Sequence, residues 1–147
     1  MTTKHVPILF VLILSYSCFV GSTRAQTDFW QQTNGPYGGS VNSVAVNSNG
    51  HILAAEWTGR IFISTDYGEH WIELLNSPAP NLNTFIIAPN GHLFAGTMSG
   101  VYRSTDQGSS WTQVNSGLTR SEIYELAFDR QGNLYAGSYF GGVYRSS

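Results

Sequence analysis

The sequence predicts an all-β fold built from repeated four-stranded units, the blades of a β-propeller, about three of them in an incomplete ring. Three observations lead there. The 147-residue chain repeats itself every 40 to 42 residues. Its composition sets 14% aromatic residues and 16 glycines against only 11% charge. Each period also holds four short apolar runs separated by turn residues, and four strands per 40–45 residues is the mark of a propeller blade. The same composition excludes a disordered chain, which needs much charge and few aromatics. It also excludes a helical bundle, which would be rich in Ala, Glu, Lys and Leu.

Taken in chain order, residues 1–25 read as a secretory signal peptide. Lys4 and His5 start it, residues 6–20 form a mostly apolar run, and Gly21-Ser22-Thr23-Arg24-Ala25 supplies small residues for cleavage, with Arg24 unusual among them. That run is short for a membrane span, which needs about 20 apolar residues. The single cysteine, Cys18, lies inside this leader, and Ser15 stands where a lipidation motif would want an aliphatic residue. Cleavage after Ala25 leaves no cysteine, no lysine, five arginines and nine acids, a net charge of -4. Such a chain carries no nucleic-acid footprint, and the expected location is secreted, periplasmic or on the cell surface.

Residues 26–147 form one repeat array. Trp30, Trp71 and Trp111 recur at intervals of 41 and 40, and Gly50, Gly91 and Gly132 at 41 and 41. Gly100-Val101-Tyr102-Arg103-Ser104 returns as Gly142-Val143-Tyr144-Arg145-Ser146. The first strand of each unit is predicted at 41–46, 84–88 and 123–128, and an Asn-Gly or Gln-Gly turn follows it. Second strands are predicted at 52–56, 93–97 and 134–138, and third strands at 61–64, 101–104 and 143–146. The tryptophans open the fourth strands at 71–75 and 111–114, and residues 30–33 are a fourth strand whose inner strands do not precede it. Phe85-Ile86-Ile87 and Ile61-Phe62-Ile63 are apolar on both faces, as a sheet covered on both sides requires. The small pairs Ala54-Ala55, Ala95-Gly96 and Ala136-Gly137 are expected where blades converge on the axis.

The most specific motif joins the third and fourth strands. Ser64-Thr65-Asp66-Tyr67-Gly68-Glu69-His70-Trp71 returns as Ser104-Thr105-Asp106-Gln107-Gly108-Ser109-Ser110-Trp111. Both copies match Ser-x-Asp-x-Gly-x-x-Trp, and residues 30–147 thereby resemble the Asp-box (bacterial neuraminidase) repeat propellers, sialidase-like and sortilin-like proteins among them. Ser and Asp side chains serve the free N–H groups of a tight turn, glycine tolerates positive φ, and tryptophan packs the turn down. The resemblance implies that Ser64, Asp66, Gly68, Trp71, Ser104, Asp106, Gly108 and Trp111 make the fold, on the face away from any binding cleft.

The chemistry-bearing residues do not assemble a catalytic set. Sialidases that carry this repeat need three arginines, a Tyr–Glu pair and an aspartic acid. Here Arg103 and Arg145 are repeat equivalents, Ile63 replaces them in the first unit, and Arg60, Arg120 and Arg130 are scattered. Glu56 and Glu122 could face one cleft, the arrangement that glucan-hydrolysing relatives use, but read as solvated acids. His51 and His92 are equivalent turn residues and His70 lies in a motif turn, so neither a metal nor a cofactor is expected. The loops from fourth to first strand and from second to third share the other face. They gather Tyr37, Trp57, Met98, Arg120, Tyr139 and Phe140, which suits a carbohydrate or protein ligand. The sequence therefore reads as a secreted, non-catalytic binding or scaffold module. The alternative is the N-terminal part of a glycoside hydrolase without its catalytic residues. With three blades, where rings close with about four to eight, either further blades or self-association into a six-blade ring is expected.

Overall fold

The computed structural model describes residues 29–74 and 76–146, so residues 1–25, read above as a signal peptide, together with Cys18, Leu75 and Ser147 lie outside the described residues. Contacts divide the chain into two units, Met1–Gln31 and Gln32–Ser147. Of the first, the description covers Phe29–Gln31, where the rings of Phe29 and Trp30 meet edge to face at 5.0 Å. The second unit contains every strand among the described residues.

Three antiparallel meanders follow one another in sequence. The first sheet runs β1 (Val41–Val46), β2 (Ile52–Glu56), β3 (Ile61–Ser64) and β4 (Ile72–Leu74). The second runs β5 (Leu82–Ile87), β6 (Leu93–Thr97), β7 (Gly100–Ser104) and β8 (Thr112–Gln113). The third has β9 (Ile123–Phe128), β10 (Leu134–Ser138) and β11 (Gly142–Arg145), with no fourth strand among the described residues. The chain is thus all-β, an incomplete propeller ring. The outer strands are shorter than expected, because both tryptophans stand just ahead of the ladder and pack instead of pairing. Residues 30–33, expected as a strand, form none.

Side chains on the first strands lace each sheet to the next. The Asn42 Nδ2 donates to the Leu82 carbonyl at 3.2 Å, and one repeat later the Asn83 Nδ2 donates to the Ile123 carbonyl at 2.8 Å. The Ser43 hydroxyl accepts from the Phe85 N–H at 3.0 Å and donates to the Phe85 carbonyl at 3.1 Å. Two apolar cores fill the spaces between the sheets. Leu53, Ile61, Leu82, Phe85 and Leu93 lie between the first and second, and Val101, Ile123, Leu126 and Ala136 between the second and third. The small pairs sit on the second strands, β2, β6 and β10. A Cβ on Gly96 would lie 2.6 Å from Thr84 Cγ2 and 2.8 Å from Ile123 Cγ2, so at this position the approach of the third sheet leaves no room for a side chain.

The two motif turns are built alike. The Ser64 Oγ accepts from the Gly68 N–H and the Ser104 Oγ from the Gly108 N–H, both at 2.8 Å. Each serine donates to its aspartate, at 2.9 and 2.8 Å. The glycines take φ of 92° and 89°, where a side chain would be strained. The Asp66 carboxylate accepts from the His70 N–H at 2.9 Å and meets His70 Nδ1 at 2.6 Å. These bonds, the backbone one foremost, hold its pKa down to about 2. For Asp106, the hydroxyl of Ser110 at 2.6 Å and then its N–H at 2.9 Å do the same, again to about 2.

The sign of the linkage follows. A depressed folded pKa contributes stability that is fully present above the ordinary value of 3.8 and lost as pH falls toward 2. The melting temperature is expected to decline between about pH 4 and pH 2, and Asp106→Asn to flatten that decline. An unchanged acid limb in the variant would show that the turn does not contribute.

Candidate functional site

The end of the sheets opposite the motif turns gathers the loop residues singled out above. Three equivalent backbone bonds build it: the N–H groups of Trp57, Met98 and Tyr139 donate to the carbonyls of Ser40, Asn81 and Glu122, at 3.1, 3.2 and 3.0 Å. Each bond ties the loop entering a sheet to the turn between its second and third strands. The side chains of Tyr37, Trp57, Tyr139 and Phe140 therefore emerge at one end of their sheets. They are 68%, 42%, 56% and 83% exposed.

The structure brings these residues together in two groups. On the third sheet the rings of Tyr139 and Phe140 lie 4.1 Å apart, and Tyr124 joins them at 5.6 Å from Tyr139. Gly141 presses on the stem of Arg120, whose Cγ would be 2.8 Å from a Cβ placed there. On the first sheet, Tyr37 and Trp57 flank the loop of Gly38 and Gly39 with no ring contact to the first group. Tyr124 was not singled out in the sequence. The available signal was its register: it stands one repeat after Asn83 and two after Asn42, where an amide otherwise laces the next sheet.

Glu56 corrects an expectation. It is 1% exposed, not a solvated acid. Its Oε2 accepts from the Thr58 hydroxyl at 3.1 Å and lies 3.6 Å from Arg60 Nη1, while its Oε1 has no hydrogen-bond partner. Gly39 lies directly over the carboxyl group, so that a Cβ there would fall 2.1 Å from Oε1. The repeat equivalents are Thr97, buried and bonded to the Gly100 carbonyl at 3.0 Å, and Ser138, whose buried hydroxyl has no partner. Arg60 forms a two-pronged pair with Glu73 at 2.9 and 2.7 Å, which leaves Glu56 the weaker share of its charge. Glu122, the other acid considered, is half-buried in the loop before β9.

No family model matches the chain, and no curated protein does. Solved structures of β-propeller proteins share its fold. A GH74 enzyme of Niastella koreensis is 24% identical, with a TM-score of 0.56 over 73% of this chain and 21% of its own. YCF48 bound to D1 peptide is 17% identical, with a TM-score of 0.61 over 74% and 37%. The extracellular domain of BT4673 from B. thetaiotaomicron is 17% identical, with a TM-score of 0.60 over 80% and 17%. These likenesses define the class as β-propeller, and the chain spans well under half the length of each. Among the described residues no helix is long and apolar enough to cross a membrane.

Proposed function

We propose that the chain is a secreted, non-catalytic binding or scaffold module of an Asp-box propeller, whose ligand is a glycan or a protein. The observation that carries this reading is the exposed aromatic group Tyr139, Phe140 and Tyr124 beside Arg120. Rings held in mutual contact offer flat apolar area at little entropic cost, and the guanidinium supplies a polar anchor. Trp57 and Tyr37 offer a second platform on the first sheet. The two turns described above support the Asp-box assignment by their shared bonds, and two of the structural neighbours are the extracellular domain of BT4673 and a peptide-bound YCF48.

One observation favours a second reading, part of a glycoside hydrolase. Glu56 is a buried carboxyl with an unpaired oxygen at the loop end, and GH74 enzymes share the fold. Arrays of glycans and of extracellular peptides separate the two. A Tyr139→Ala, Phe140→Ala double variant is expected to lose roughly tenfold or more in binding, since exposed aromatic anchors dominate such contacts, with its melt unchanged. Binding that ignores both rings would overturn the site. Release of reducing ends from a glucan, abolished by Glu56→Gln, would establish the hydrolase instead.

A further inference from the structure

The turn between β6 and β7 is held firmly at the loop end of the second sheet. Its two residues are Met98 and Ser99, since Thr97 pairs with Gly100 across the ladder. The Met98 N–H donates to the Asn81 carbonyl at 3.2 Å, and the Ser99 N–H to the Thr97 hydroxyl at 3.0 Å. The Ser99 carbonyl accepts from Gln113 Nε2 at 2.8 Å and from Asn115 Nδ2 at 2.9 Å. Met98 is half-buried there, and it is the one methionine after Met1.

Its side chain is fixed as well. The Asn83 Nδ2 donates to the Met98 sulfur at 3.6 Å and to the Ile123 carbonyl at 2.8 Å. One amide group therefore couples the thioether to the bond that laces the second sheet to the third. The backbone does not require sulfur at this register, because Trp57 and Tyr139 stand there on the other two sheets with the same N–H bond. What a thioether adds is redox chemistry, since it is converted reversibly to a polar, chiral sulfoxide. Among the described residues the sulfur takes no second hydrogen bond, so its two lone pairs are unequal. One faces the Asn83 amide, and the other is not engaged.

We propose that Met98 is a site of reversible oxidation, and that Asn83 carries the effect to the junction of the second and third sheets. The oxidant is a peroxide. With hydrogen peroxide, the unengaged lone pair attacks one oxygen, the S–O bond forms and the O–O bond breaks. The departing hydroxide takes the proton of the transferred oxygen and leaves as water, so sulfur gives up two electrons and the peroxide gains them. Because the Asn83 amide covers the other lone pair, one sulfoxide epimer forms in excess. The sulfoxide sulfur carries partial positive charge and no longer accepts from an N–H, so Asn83 loses one of its two partners. A donor left unpaired in a half-buried place costs stability. The polar oxygen adds to that cost where an apolar side chain packed. Nothing in this chemistry depends on what the loop end binds.

The full chain, treated with dilute hydrogen peroxide, is expected to take up an oxygen at Met98, located by mass mapping of its peptides. The melting temperature is expected to fall by about 3–6 °C, the shift that losing such a bond makes in a domain of this size. Met98→Leu, a volume-conserving change that a packed site tolerates, is the control, and its melt is expected to ignore the treatment. Deuterium uptake is expected to rise in the peptides that hold Asn83 and Ile123 and to stay unchanged in β1 and β2. Methionine sulfoxide reductases A and B each act on one epimer. On the isolated Met98 peptide one of them is therefore expected to restore nearly all of the thioether, where a freely turning methionine divides between the two. An even division between the reductases, or a Met98 that resists peroxide while its free peptide reacts, would overturn the proposal. So would an unshifted or raised melt, a shift that persists in Met98→Leu, or exchange that rises equally in all three sheets.

Discussion

Phe85→Ala is expected to destabilise the protein by about 3–5 kcal/mol, the range for deleting a fully buried phenylalanine. Phe85 is 1% exposed on β5, between the first and second sheets, and its ring lies 6.3 Å from that of Trp111. Truncation removes the transfer energy of the ring and opens a cavity. The cavity cannot collapse easily, because Ser43 clamps the Phe85 backbone from the neighbouring sheet through two hydrogen bonds. Against a total stability of about 5–15 kcal/mol, this is a large fraction. Phe140→Ala, at 83% exposure, is the control and is expected to change stability by less than about 1 kcal/mol. Denaturant titrations of the two variants check the pair. Similar losses would mean that the space between the sheets does not hold the fold.

Gly96→Val is expected to cost about 3 kcal/mol or more, the upper range for overpacking a dense core. Gly96 pairs with Thr84 across the ladder and faces Ile123 of the third sheet, and even a single Cβ would come within 2.8 Å of both side chains. Both neighbours are β-branched residues on ordered strands, with little freedom to swing aside. A valine there must therefore push the second and third sheets apart. Ile123→Ala in the same chain restores room, so the double variant is expected to lose less than the two single losses added together, as neighbours in contact do. Strict additivity in thermal melts would refute the contact.

The repeat was legible because its anchors are local. The turn serines, aspartates and glycines act on backbone a few residues away, so their spacing predicts β1, β2, β3, β6, β9 and β10 at almost their observed bounds. What depends on neighbouring sheets was not. Gly-Val-Tyr-Arg-Ser occurs twice, yet Val101 is buried and Val143 exposed, since among the described residues only the first has a sheet beyond it. Residues 30–33 have the pattern of a strand and form none. At the candidate site, the loop end and its aromatic residues followed from topology. The burial of Glu56 did not, because it depends on Gly39 settling over a carboxyl group 17 positions away. Tyr124 escaped notice because in the other two sheets that register is occupied by an amide engaged with the adjacent sheet.

The lacing of first strands also has a kinetic side. Each sheet is a meander of consecutive strands, so its pairing is short-range, and among the described residues the first sheet packs on the second and the second on the third. Such an array behaves as a row of coupled units in which opening starts at an end and travels inward. Among the described residues the middle sheet alone is gripped from both sides, by Asn42 and Ser43 before it and by its own Asn83 after it. Amide protons of β5 and β6 should therefore be the last to exchange with deuterium, while those of β10 and β11 go early, so that the row loosens from its edges and keeps its centre longest.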